Sequence, residues 1–259
     1  VCVTRGGLVA AAVVARELGL EVDVLEIAGR AMLRSVSAPV AAYLTDALAK
    51  RGVRFHFSTG AEAFRGEQGQ VRAVLTNRGE TLAADLVVVG AGVEPDDLLA
   101  RDAGLHVQGG ILVDAHLLTS DPAISAIGDC ARFPAPYSAQ PLRLESVQNA
   151  VDQARCVAAR LTGKAAPYDK VPWFWSDQGE NRLQIAGVAE ASDEVVLRGA
   201  VGGGKFSVMR LRGGRLTSVE SINNAADHMA ARKLLAARAM LTREQAADTG
   251  VKLASLAPA

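Results

Sequence analysis

The chain is poor in cysteine, histidine and aromatics, carries no excess of either charge, and has no long apolar run. Its three cysteines, Cys2, Cys130 and Cys156, lie far apart without a C-x-x-C. An odd, scattered set supports neither a disulfide framework nor a dithiol redox pair. The four histidines, His56, His106, His116 and His228, show no metal-ligand spacing, so no metal is expected. Lysine plus arginine and aspartate plus glutamate number 28 each. That balance argues against nucleic acid as the main partner, because phosphate recognition needs a concentrated basic surface. No segment is apolar for long enough to span a bilayer. The run after Arg5 imitates a secretory signal, but Arg16 and Glu17 interrupt it. The expectation is a cytoplasmic protein without membrane, metal or nucleic acid.

What is present reads as an α/β chain. At 259 residues there is room for more than one domain. Residues 1–4 read as a strand, Arg5-Gly6-Gly7 as a tight loop, 8–18 as a helix and 21–26 as a second strand. A helix follows over 38–50, with Ser37 as its cap, Pro39 in its first turn and Gly52 as its stop. "VRFHF", "VRAVLTN" and "DLVVVG" then read as three strands. The expected architecture is a Rossmann-like NAD-binding domain with a β-meander over 1–92, a remnant of a second, FAD-binding domain over 93–166, and a C-terminal α+β domain over 167–259. In the middle unit, Ile124 to Ile127 reads as a buried strand ending on Gly128-Asp129. "ESVQNAVDQARCVAARLTG" reads as a helix with an apolar stripe from Val147 through Leu161. In the last unit, Gly213-Gly214 between alternating runs predicts a hairpin.

Three stretches carry chemistry. "RGGLVA" at 5–10, with Glu26 about twenty residues on, fits a dinucleotide loop. Glycines there let backbone N–H groups approach a pyrophosphate, and an acid after the next strand takes ribose hydroxyls, favouring NADH. The match is degenerate, because Arg5 occupies the first glycine position. Arg30 and Arg34 read as phosphate contacts or as solvated loop charges, the second being preferred. Asp129, where a strand ends on Gly128, fits a ligand site at the carboxyl end of an open sheet, or a plain turn.

Around Asp129 the sequence resembles the second flavin motif of the FAD-dependent pyridine nucleotide reductases. "LTSDPAISAIGDCARFP", "LRLESVQNAVDQA" and "PWFWSDQ", in that order, are similar to the ferredoxin and rubredoxin reductases that feed oxygenases and P450s. The resemblance covers essentially the whole chain and implies FAD and NAD as cofactors, with a ferredoxin-type iron–sulfur protein as partner. It implies hydride transfer from NADH to FAD, then single-electron transfers, with no catalytic side chain. Residue by residue, it implies that Asp129, beside Gly128, holds the ribityl chain. Glu145, Ser146 and Val147 bring a helix start to the flavin's pyrimidine end, and Trp175 lies beside the ring. Trp173 is expected to be core. Gly6, Gly7 and Glu26 match the NAD loop and its acid, and Gly92 the later glycine loop. Two departures stand out. Arg5, and Ala12 in place of an expected acid, imply a weakened NAD site. The family's earlier FAD half, with its own G-x-G-x-x-G and lysine, is not found here. The expectation is therefore a truncated form with the apolar faces of 105–163 open, completed by a partner supplying that half. The alternative expectation is an inactive NAD-binding or docking remnant.

Overall fold

The computed structural model describes residues 1–4, 15–138 and 140–257, with backbone only for Cys2–Thr4. Arg5, Gly6, Gly7 and Ala12 lie outside the described residues. Strand β1 (Cys2–Thr4) is followed by β2 (Val22–Glu26), helix α1 (Ala38–Lys50) and β3 (Val53–Phe57). An antiparallel meander of β4 (Ala61–Glu67), β5 (Gln70–Thr76) and β6 (Thr81–Ala83) intervenes before β7 (Val88–Gly90). The sheet has the order β3-β2-β1-β7, all parallel. Successive parallel strands stepping outward on one side, then crossing to the other, are the first half of a doubly wound nucleotide fold.

β2 is buried at all five positions, as a strand covered on both faces must be. Even its Asp23 is paired: Arg54 Nη2 and His56 Nε2 of β3 lie 2.7 and 2.8 Å from its carboxylate. The Arg54 guanidinium holds that carboxyl below its usual range. α1 buries Val40, Ala41, Leu44 and Leu48, a stripe at helical spacing. Ser37 occupies its N-cap position, yet its side chain does not cap the helix. Its Oγ instead donates to Glu220 Oε2 at 2.6 Å, with its backbone N–H adding a second bond at 2.8 Å.

The middle of the chain is less regular than its apolar pattern predicts. α2 (Leu98–Asp102) precedes a two-stranded parallel pair, β8 (Ile111–Leu112) and β9 (Ala131–Arg132). Ile124–Ile127 is not a buried strand. It makes one bridge, Leu118 to Ser125, and Ile124 and Ile127 are both more than a third exposed. The reason is that no continuous neighbouring strand runs beside it among the described residues. Helix α3 (Val147–Leu161) also inverts expectation: its inward face is Gln148, Asn149 and Gln153, whereas Val147 and Leu161 are exposed.

The C-terminal unit is an antiparallel sheet of order β10-β11-β14-β13-β12: β10 (Trp173–Gln178), β11 (Asn181–Gly187), β12 (Glu194–Arg198), β13 (Phe206–Arg212) and β14 (Arg215–Ile222). The Gly213-Gly214 hairpin joins β13 to β14 as expected, both glycines at positive φ. One face packs Leu183, Ile185, Phe206, Val208 and Ile222 into the same core as α1. The other is covered by α4 (Ala225–Ala236) and the short α5 (Arg243–Ala247). Arg198 pins the tail from inside, donating to Asp227 and to the carbonyls of Asp248 and Val251.

Candidate functional site

The residues that matter converge where the 3₁₀ turn Gly128–Cys130 meets the start of α3. Gly128 is buried with φ +75, a left-handed conformation that lets the chain turn so that Asp129 comes to the surface. Its N–H donates to Gln153 Oε1 at 2.7 Å. Arg143 Nη1 donates to the Asp129 carbonyl at 2.9 Å and pairs with Glu145 at 2.7 Å, tying the turn to the residue just before the Ser146 cap. The Asp129 carboxylate is exposed and makes no hydrogen bond to the described residues, so it is free to accept from a ligand.

α3 begins under firm control. Ser146 Oγ accepts from the Asn149 N–H at 3.2 Å, the bond of a true N-cap. Asn149, fully buried, donates to the Leu144 carbonyl and accepts from the Tyr168 hydroxyl. Gln148 Oε1 accepts the Trp173 N–H at 3.0 Å, so the first turn of α3 is locked to β10. The unpaired N–H groups and dipole of that turn favour negative charge.

On β10, Trp175 is 40 % exposed and Trp173 is half-buried, their rings 5.6 Å apart. Trp173 is packed from behind: His228 meets it edge-on at 5.7 Å and the Arg232 guanidinium lies 4.6 Å over its ring. His228 is fully buried with neither ring nitrogen partnered among the described residues, and burial pushes its pKa down to about 4. Trp173 is thus the supporting residue and Trp175 the presented one.

Glu26 closes β2 at the carboxyl end of the parallel sheet. It is 2 % exposed; Oε1 accepts the Ala28 N–H at 2.8 Å while Oε2 is buried without a partner among the described residues. A buried acceptor left open has the chemistry of a ribose-hydroxyl receptor. Gly92 sits at φ +104 with open space around it, so a flat ligand could approach its backbone. Arg30 is not simply a solvated charge: its guanidinium donates to the carbonyls of Ala31, Leu33 and Val36 and shapes its own loop. A cleft of about 1020 Å³ runs between that loop, residues 143–146 and the C-terminal sheet, with Glu220 among its lining residues. Gln148, Asn149 and Gln153 escaped sequence reasoning, which tracked apolar spacing.

Residues 5–154 match the family model of the pyridine nucleotide-disulphide oxidoreductases, and residues 173–257 match that of the reductase C-terminal domain. The chain belongs to the pyridine nucleotide-disulphide oxidoreductase family. It is 50 % identical over 242 residues to rhodocoxin reductase of Rhodococcus erythropolis, covering 93 % of this chain and 57 % of that one. Putidaredoxin reductase of Pseudomonas putida is 36 % identical, over 97 % of this chain and 60 % of its own length. Among solved structures, the ferredoxin reductase for the CYP199A2 system of Rhodopseudomonas palustris superposes with a TM-score of 0.96 at 48 % identity. It matches over 99 % of this chain and 64 % of its own. The chain therefore spans less than two thirds of each of these relatives. The α/β reductase fold and the family expected from the three motifs are those found.

Proposed function

We propose that the protein works as a flavoprotein reductase, taking hydride from NADH onto FAD and passing single electrons to a ferredoxin-type iron–sulfur protein of an oxygenase or P450 system. Its division into an NAD unit (1–92), part of an FAD unit (93–166) and a C-terminal unit (167–259) belongs to this reading, as does a cytoplasmic setting. Among the described residues no helix is long and apolar enough to cross a membrane. The observation that carries the reading is the Gly128–Asp129 turn, held against the N-terminus of α3 with Trp175 on the strand locked to that helix.

The side chains present fit the two cofactors. The Asp129 carboxylate, without a partner among the described residues, would accept from ribityl hydroxyls, and Gly128 would keep the backbone bare beside them. Glu26 Oε2, buried and without a partner among the described residues, would accept from the ribose of NAD. Ser146 and Val147 present the first turn of α3 to the flavin's pyrimidine end, where its dipole stabilises negative charge. The Arg143–Glu145 pair holds that segment in place. Trp175, exposed on β10, would lie beside the ring and help keep water from it. Bound FAD supplies the conversion between a two-electron hydride and single electrons. The names of the relatives, rhodocoxin reductase and putidaredoxin reductase, support the acceptor class.

The test is anaerobic. With FAD present, NADH should bleach the flavin band, and an added ferredoxin should then be reduced. An Asp129→Ala protein should lose both signals. Full activity without Asp129, or FAD bound but never reduced by NADH, would overturn the assignment.

A further inference from the structure

We infer that Gln153 is a positioning residue for the flavin, acting through Gly128. This rests on the reading that Asp129 grips FAD. Gln153 is fully buried on the inward face of α3, one turn past Asn149. Its Oε1 accepts the Gly128 N–H at 2.7 Å, from a residue 25 positions distant. The other bonds of the turn leave its N–H side alone: the Gly128 carbonyl accepts the Ala131 N–H and the Asp129 carbonyl accepts Arg143, so the Gly128 N–H is restrained by Gln153. The glutamine therefore holds the Ile127–Gly128 peptide, on the entry side of the turn, and so helps set where Asp129 emerges.

A second observation favours a functional role over ordinary packing. The Gln153 Nε2 is buried with no partner among the described residues. An apolar residue would fill the same space without burying an amide that cannot complete its hydrogen bonds, and such a group is costly unless its other end is needed. Here the needed end is the acceptor. The residue next to the turn on the helix side, Ala150, touches where a Gly128 Cβ would be at 3.7 Å and offers no polar group. Gln153 alone of the α3 side chains reaches the turn's N–H.

The test compares Gln153→Leu, which keeps the volume and deletes the acceptor, with Gln153→Glu, which keeps an acceptor. Two quantities are read in the full chain: amide exchange at Gly128 without cofactor, and FAD affinity from quenching of flavin fluorescence. In Gln153→Leu, Gly128 exchange should rise at least tenfold and FAD affinity fall about fivefold, the size expected for one hydrogen bond. Gln153→Glu should recover part of both, with an affinity that varies with pH as the carboxyl titrates. Unchanged Gly128 exchange in Gln153→Leu would overturn the inference. So would faster exchange with unaltered FAD affinity, which marks a merely structural bond. Asp129→Ala serves as the control for the underlying reading. If that protein binds FAD normally, the flavin site itself is misplaced, whatever Gln153 does to the turn.

Discussion

Lowering the pH from 7 to 5 should cost folding stability through the imidazole behind Trp173, and the loss can be sized from His228. The ring is buried, has no partner for either nitrogen, and faces the guanidinium groups of Arg232 and Arg182, all of which oppose a positive charge. Its pKa falls from 6.5 to about 4. Folded protein therefore stays neutral at His228 while unfolded chain takes up a proton. The stabilisation is complete above pH 6.5 and is lost as the pH drops toward 4. At pH 5 the unfolded state gains about 2 kcal/mol from this one group, within a ceiling of roughly 3.4 kcal/mol for a shift of that size. His228→Phe keeps an aromatic edge against Trp173 and removes the titration. Urea unfolding followed by tryptophan fluorescence suits the question, because Trp173 and Trp175 are the chain's two tryptophans. The wild-type protein should lose about 2 kcal/mol more than His228→Phe between pH 7 and pH 5. Every other carboxylate and histidine cancels in that comparison. Equal losses in the two proteins would refute the argument that burial, not ion pairing, sets this imidazole's charge.

Three other changes have definite outcomes. Glu26→Gln retains an acceptor for the Ala28 N–H but loses the charge facing the ribose, so calorimetry should show NADH affinity five- to tenfold weaker with the melting temperature nearly unmoved. Gly187→Ala should destabilise the C-terminal sheet by about 3–5 kcal/mol in thermal unfolding. A Cβ there would lie 2.1 Å from the Thr217 carbonyl oxygen, at φ +83. Ser37→Ala removes the hydroxyl bonded to Glu220, a carboxyl whose pKa burial already raises; chemical denaturation should show a loss of about 1–3 kcal/mol.

Much of this was legible before any coordinates. β2 reads directly as a strand, α1 as a helix with Pro39 in its first turn, and Gly213-Gly214 as a hairpin, because each depends on neighbours within a few residues. β4, "AEAFRGE", was not legible: it is an exposed edge strand, bent at Gly66, where a Cβ would meet the Gln70 carbonyl at 2.5 Å. Ser37 shows a different limit. Its type and place spell an N-cap, yet its hydroxyl goes to a carboxylate 183 residues away. Around the site, Asp129, Ser146 and Trp175 were named through motif and resemblance. The amides that fix them were not, since Gln148, Asn149 and Gln153 look like solvent-facing helix residues and their partners are backbone groups of Trp173, Leu144 and Gly128. Local pattern carries no record of such pairings.

The central claim is that the Asp129 turn, the start of α3 and Trp175 together form the flavin site. The most direct measurement is a nitrogen-15 spectrum of the labelled chain recorded with and without FAD. The account predicts that the largest shifts fall on the Gly128, Asp129 and Val147 amides and on the Trp175 indole. Shifts confined elsewhere, with those four signals unmoved at saturating FAD, would contradict it.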